Sequence, residues 1–83
     1  MKLVYFAWVR ERIGLKDEEI ALPGGVATVA DLVEWLRTRG PEYEHALAEP
    51  SAIRVAVDRV HQGREAPIAG AREIALFPPM TGG

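Results

Sequence analysis

The sequence predicts a small α+β domain in which a mixed β-sheet packs against one main helix. Short runs of β-branched and aromatic residues, separated by turn signals, indicate several strands. One stretch, TVADLVEWLRTRGP at 28–41, has the apolar spacing of an amphipathic helix. With 83 residues, of which 48% are hydrophobic and 27% are charged, the chain is expected to form a single domain around one core. The predicted element order is β, β, α, β, β, β.

The first predicted strand is KLVYFAWV at 2–9, which is apolar on both faces and is therefore expected at the centre of the sheet. Alternation places Leu3, Tyr5, Ala7 and Val9 on one face, and Val4, Phe6 and Trp8 on the other. A helical turn from Arg10 to Ile13 should follow, with Gly14 as its stop. The next stretch, DEEIALPGG at 17–25, predicts a short second strand that ends in a turn.

The main helix has recognisable ends. Thr28 is the predicted N-cap, and Asp31 three residues later gives a capping-box arrangement with negative charge near the positive end of the helix. The predicted core-facing stripe consists of Val29, Leu32, Val33 and Leu36. Gly40 is expected to end the helix and Pro41 to prevent its resumption.

Three more strands are predicted after the main helix, in AIRVAVDRV at 52–60, in DRVHQGREAP at 58–67 and in REIALF at 72–77. Between the helix and these strands, EYEHALAE predicts one or two turns of helix. A mixed sheet of four to five strands with one main helix is the β-grasp arrangement, the commonest small version of this class. We expect the domain to span 1–77 and a flexible tail to span 78–83.

The composition argues against most kinds of site built from side chains. The chain has no cysteine, which excludes disulfides, thiolate metal sites and cysteine nucleophiles. Its formal net charge is −2 and it has no basic block, so nucleic acid is not an expected partner. His45 and His61 are isolated, and no metal-binding or phosphate-binding motif occurs, so no bound cofactor or metal is expected. Without a signal peptide or a membrane-spanning stretch, the expected location is the cytoplasm, with no membrane partner.

The last residues, FPPMTGG at 77–83, carry the functional prediction. Pro78 and Pro79 should end the last strand and keep the chain extended, and six residues can reach about 20 Å. Met80 and Thr81 offer a partner side chains to hold, whereas the glycines that follow form the narrowest possible chain. A carboxylate on Gly83 is a poor electrophile until another protein activates it, for example by adenylation with ATP. Because cysteine is absent, a carried sulfur would have to be a thiocarboxylate on Gly83; the alternative is an inert, disordered end.

The sequence resembles the small subunits of molybdopterin synthase, which are ubiquitin-like sulfur carriers. The resemblance lies in FAWVRERIG at 6–14, ATVADLVEWL at 27–36, VAVD at 55–58 and EIALFPPMTGG at 73–83. It implies that Gly83, preceded by Gly82, is adenylated by a ubiquitin-activating-type enzyme using ATP and is converted to a covalent thiocarboxylate. The sulfur would then pass to a cyclic pyranopterin precursor in the large synthase subunit, forming the dithiolene of molybdopterin. The chain would be a sulfur-donating subunit of a hetero-oligomer, not catalytic alone.

The resemblance also implies a partner-binding surface, because it places the first and last strands side by side and parallel. An exposed apolar patch would then lie at the root of the tail, made of Phe6, Trp8, Phe77 and Met80. We predict that these residues contact partners together with Arg10, Pro78, Pro79 and Thr81. The alternative is that the aromatic side chains are buried under the segment 41–51. The sequence departs from the family pattern at Asp58, at Ala71-Arg72 and at Met80.

Three other functions remain open at this point. A sulfur carrier of thiamine synthesis would share the fold and the diglycine end. A ubiquitin-like protein modifier would use the activated Gly83 carbonyl to acylate an amine instead of accepting sulfur. A plain binding module would not need Gly83 at all.

Overall fold

The structure, a computed structural model, describes residues 1–79. The strands are β1 Lys2–Tyr5, β2 Asp17–Glu19, β3 Arg54–Val57, β4 Val60–Gln62 and β5 Glu73–Phe77. The helices are α1 Ala7–Ile13, α2 Val29–Arg37 and α3 Pro41–Ala46, and a 3-10 turn spans Pro50–Ala52. In this part of the chain, none of the helices has the length and apolar character that crossing a membrane requires.

The five strands form one mixed sheet in the order β2-β1-β5-β3-β4. The first and last strands pair in parallel, with Leu3 opposite Ile74 and Tyr5 opposite Leu76, and the remaining pairs are antiparallel. The predicted β-grasp arrangement is confirmed, with β5 at the centre of the sheet. Both neighbours of β5 therefore hydrogen-bond to the strand that leads into the tail.

The core lies between the inner face of the sheet and the helices. The predicted helical stripe is confirmed, because all four of its residues are buried: Val29, Leu32, Val33 and Leu36. The sheet contributes Leu3, Tyr5, Val55, Ile74 and Leu76, each at most 3% exposed. Burial of such side chains stabilises the fold by roughly 1.5–3 kcal/mol each before the loss of chain entropy is counted.

The predicted capping box of α2 is confirmed. Asp31 N–H donates to Thr28 Oγ1 and Thr28 N–H donates to Asp31 Oδ2, both at 3.2 Å. Backbone hydrogen bonds from Ala27 and Thr28 hold the pKa of Asp31 below its ordinary value. The other end of the helix differs from the prediction: Pro41 does not merely interrupt the helix but occupies the first turn of α3, where its missing N–H is not needed.

The first predicted strand is wrong beyond Tyr5. The chain turns at Ala7, whose φ is +52°, and continues as α1, which places Val9 and Ile13 in the core. The short helix predicted at 10–13 is confirmed but begins three residues earlier. Its predicted stop is confirmed too: Gly14 has φ +88° and its N–H donates to the carbonyl oxygen of Arg10.

The hairpin between β3 and β4 contains one of the departures from the family pattern, Asp58, and contacts another, Arg72. Val57 pairs with Val60, so the loop is only Asp58-Arg59, with φ values of +47° and +70°, as in a type I′ turn. Asp58 Oδ1 accepts hydrogen bonds from the backbone N–H groups of Arg72 and Glu73, at 2.9 and 3.0 Å. These bonds lower the pKa of Asp58 and tie the hairpin to the start of β5.

Candidate functional site at the root of the tail

The predicted tail leaves the domain from its best-anchored strand. β5 ends at Phe77, and the two prolines that follow it are half-buried. Met80, Thr81, Gly82 and Gly83 lie outside the described residues, so their predicted roles and the predicted division of the chain at residue 77 stay predictions. The site that the structure does describe is the surface around this exit point.

Phe6 lies on this surface. Its backbone N–H donates to the carbonyl oxygen of Leu76 at 3.1 Å, which continues the parallel pairing of β1 with β5 by one residue. Since Tyr5 and Leu76 point inward, Phe6 and Phe77 follow them on the outward side. The Phe6 side chain is 49% exposed and that of Phe77 is half-buried. We call the surface formed by Phe6, Phe77, Pro78 and Pro79 the tail-root surface.

The prediction that Trp8 joins this surface on the outer face of the sheet is wrong, because the strand has already ended before Trp8. It lies in α1, packs partly against the core and is covered by Arg12, whose guanidinium carbon is 4.4 Å from the ring centroid. Arg10 is exposed on the same helix, as expected for a contact residue. The alternative of burial under 41–51 fails for Phe6, because its side chain is 49% exposed.

A shallow cleft of about 430 Å³ adjoins the tail-root surface and is lined by Arg54, His61, Phe77 and Pro79. Arg54 lies directly opposite Phe77 on the neighbouring strand. Ala56 pairs with His61 on one side and with Ala75 on the other, and the His61 and Phe77 rings approach each other across this strand with centroids 6.1 Å apart. Sequence reasoning missed Arg54 and His61, although strand alternation around the inward Val55 could have placed Arg54 outward.

A second concavity, of about 510 Å³, lies at the other end of β5 and is lined by Asp58, Arg59, Arg72 and Glu73. One carboxylate oxygen of Asp58, Oδ1, already accepts hydrogen bonds there from two backbone N–H groups. Across residues 1–79, no three His, Asp or Glu side chains are close enough to hold a metal ion. The tail-root surface is therefore the better candidate site.

A polar cluster centred on Glu18 connects three parts of the fold away from this surface. Glu18 Oε2 accepts hydrogen bonds from the hydroxyls of Tyr5 at 2.6 Å and Tyr43 at 2.8 Å, and Oε1 accepts from Arg39 at 2.8 Å. The Arg39 guanidinium also lies over the rings of Trp35 and Tyr43, at 5.3 and 4.9 Å. The cluster joins the edge strand β2 to β1, to the end of α2 and to α3.

The protonation states of this cluster suit a structural role. Burial, with the hydrogen bond to Glu18, raises the pKa of Tyr43 to about 12 and raises that of Tyr5 as well. Burial also opposes the charge on Glu18, but the bonds from Tyr5, Arg39 and Tyr43 outweigh it and lower the pKa of Glu18. At neutral pH both tyrosines are thus donors to a carboxylate, and neither is a base.

Comparison with known proteins identifies the family. Residues 3–83 match the ThiS family. The chain belongs to this family. Over 83 residues, it is 34% identical to the molybdopterin synthase sulfur carrier subunit of Haemophilus influenzae and 31% identical to that of Escherichia coli. Each match covers 100% of this chain and 99% of the relative, which confirms the resemblance seen in the sequence.

Solved structures of relatives have the same fold as this ThiS-family chain. The crystal structure of SAMP1 from Haloferax volcanii has a TM-score of 0.71 at 26% identity, covering 100% of this chain and 98% of that one. Another crystal structure from that organism, of small archaeal modifier protein 1, has a TM-score of 0.72 at 24% identity over 96% and 97% of the two chains. A Pyrococcus furiosus protein gives 0.74 at 27% identity over 95% of both chains. The β-grasp fold is common to all of them.

Proposed function

We propose that this chain is the sulfur-carrier small subunit of a molybdopterin synthase, and that it carries sulfur as a thiocarboxylate on Gly83. The observation that supports this most directly is the full-length match to two relatives named molybdopterin synthase sulfur carrier subunit. The absence of cysteine from the chain agrees with it, because a persulfide on this protein is then impossible.

The proposed charging reaction takes place in a partner enzyme that binds ATP. A Gly83 carboxylate oxygen attacks the α-phosphorus of ATP, which forms an acyl adenylate and releases pyrophosphate. A persulfide sulfur then adds to the acyl carbon and displaces AMP. A thiol then attacks the persulfide carrier's sulfur in the resulting acyl disulfide, so that the thiol and this carrier form a disulfide and the thiocarboxylate is released on Gly83.

The proposed delivery reaction takes place in the large synthase subunit, where the sulfur passes to a cyclic pyranopterin precursor. One thiocarboxylate carries one sulfur atom, whereas a dithiolene contains two. Two charged chains are therefore consumed for each molecule of molybdopterin. The domain would bind the partner through the tail-root surface while β5, paired on both sides, holds the base of the tail in a fixed direction.

The first test is the intact mass of the protein produced in cells together with its adenylating enzyme and a sulfur source. The expected result is a mass gain equal to the replacement of one oxygen by sulfur. A variant lacking Gly83 is the matched control and should show no gain. If the full-length chain has the same mass with and without the sulfur source, and the adenylating enzyme is shown to be active, the proposal is contradicted.

The second test separates molybdopterin synthesis from other uses of a sulfur carrier, including thiamine synthesis. Thiocarboxylated chain is mixed with purified large subunit and the pyranopterin precursor, and molybdopterin is measured. We expect about one molybdopterin for every two chains consumed. Charged protein that yields no product with an active large subunit would exclude the synthase assignment while leaving the sulfur carrier intact.

A second candidate, a protein modifier, is favoured by one observation: the solved relative from Haloferax volcanii is named small archaeal modifier protein 1. In that case an amine of a target protein would attack the activated Gly83 carbonyl and form an amide. Immunoblots of cells that express tagged chain distinguish the two candidates. Higher-mass conjugates that vanish when Gly83 is deleted would indicate modification.

A further inference from the structure

The cleft beside the tail-root surface contains a fixed cation. Arg54 NH1 donates to the carbonyl oxygen of Ser51 at 2.9 Å, which holds the half-buried side chain in place opposite Phe77. The ion pairs found within residues 1–79 join the Met1 ammonium to Glu19, Arg37 to Glu34 and Arg39 to Glu18. Arg54 is in none of them, so its charge is not neutralised by the part of the chain that the structure describes.

The surroundings of this cation favour an anionic group. Arg54 uses one donor on Ser51, and the remaining guanidinium donors suit a planar carboxylate. His61, exposed on the neighbouring strand, adds an imidazole, whose N–H can also donate a hydrogen bond, to the same cleft. Phe77 and Pro79 supply apolar walls, and a docked protein that excludes water there would strengthen the attraction between opposite charges.

We propose that the cleft receives a carboxylate side chain of the large synthase subunit, bound by Arg54 with His61 beside it. This inference rests on the proposed function and deepens it, because it assigns partner recognition to two residues outside the tail. The cation alone does not attract partners over the whole surface, since the net charge of the chain is −2. It instead selects a partner that presents an acidic residue to the cleft lined by Arg54 and His61.

The test is the affinity of the full-length chain for purified large subunit, measured by titration calorimetry at low and high salt. The chain is used with an ordinary carboxylate, not a thiocarboxylate, on Gly83. Arg54→Glu should weaken binding at least tenfold at low salt, and the difference from wild type should shrink as salt rises. The control is Arg72→Glu, which changes the net charge equally. Arg72 directly precedes β5 and lies five residues from Phe77, the partner of Arg54, which is roughly 16 Å at ~3.3 Å per residue. This control should change the affinity less than threefold.

Thermal unfolding of each variant establishes that it is folded before binding is measured, and Arg54→Gln provides a milder replacement if the charge reversal unfolds the domain. Equal affinities for Arg54→Glu or Arg54→Gln and for Arg72→Glu would overturn the inference while the sulfur-transfer assay still succeeds. If wild-type chain neither binds the large subunit nor supplies sulfur to it, the proposed function itself fails. A loss of affinity in the Arg54 variants but not in Arg72→Glu, together with normal thiocarboxylate formation on Gly83, supports both the inference and the proposed function.

Discussion

Glu18→Ala should be the most destabilising exchange of a charged side chain in this domain. Two of its three hydrogen-bond donors are hydroxyls of buried residues, Tyr5 at 1% and Tyr43 at 7% exposure. A buried donor left without an acceptor costs about 1–3 kcal/mol. The third donor, Arg39, is 30% exposed and can return to water, which adds at most about 1 kcal/mol.

The two hydroxyls and Arg39 together give about 2–7 kcal/mol for Glu18→Ala, which at ~4–8 °C per kcal/mol for a domain of this size lowers the melting temperature by about 10 °C or more. Urea unfolding measures the loss in the free energy of unfolding directly. Glu19→Ala is the matched control on the same strand: its carboxylate pairs with the Met1 ammonium at 2.7 Å but is 74% exposed, so its loss should cost less than about 1 kcal/mol. If the two variants lose equal stability, the reasoning about buried donors is wrong.

The same cluster predicts an acid-dependent loss of stability. Hydrogen bonds keep the pKa of Glu18 in the folded protein below its ordinary value despite burial. Its contribution is therefore complete above the pKa of the unfolded chain, about 4.3, and declines as pH falls through the lower folded pKa. The stability difference between wild type and Glu18→Gln should shrink between pH 6 and pH 3. A constant difference would show that the carboxylate charge contributes nothing.

Three further exchanges test other parts of the structure. Thr28→Ala should lower the free energy of unfolding by about 1 kcal/mol in urea, because the N-cap acceptor of α2 is lost, while Thr28→Ser should retain most of it. Asp58→Ala should lower the melting temperature in calorimetry and Asp58→Asn should not, since an amide oxygen still accepts both backbone bonds and asparagine tolerates a positive φ. Phe77→Ala should weaken binding of the large subunit at least tenfold in calorimetry, whereas Val60→Ala, 57% exposed at the opposite end of the sheet, should change it less than threefold. Similar affinities for these last two variants would remove Phe77 from the interface.

The elements that sequence reasoning predicted well are those with local signals. The capping residues and apolar stripe of α2 lie within nine positions of one another, so periodicity alone finds them. The last strand and its place beside the first followed from its composition and from the family resemblance. These features determine the fold class and direct attention to the surface around Phe77.

The errors arose where tertiary structure overrides residue preference. The run YFAWV has strong strand propensity, yet its last residues are helical because Val9 and Ile13, four positions apart, bury one face of α1. The four-residue spacing of Val9 and Ile13 was the signal in the sequence that could have indicated a helix here. The Glu18 cluster had no such signal, since its partners lie 13, 21 and 25 positions away.

The central position of β5 has a mechanical consequence for the proposed insertion of the chain end into a partner. Tension applied at Pro79 along the strand loads the ladders to β1 and β3 in shear, so the hydrogen bonds on both sides must break together. The edge strand β4 is held by a single ladder, to β3, and would resist the same tension with bonds on one side only. The proposed cycle of insertion and release would therefore pull on the strand that is bonded on both sides, and the domain behind it should stay folded.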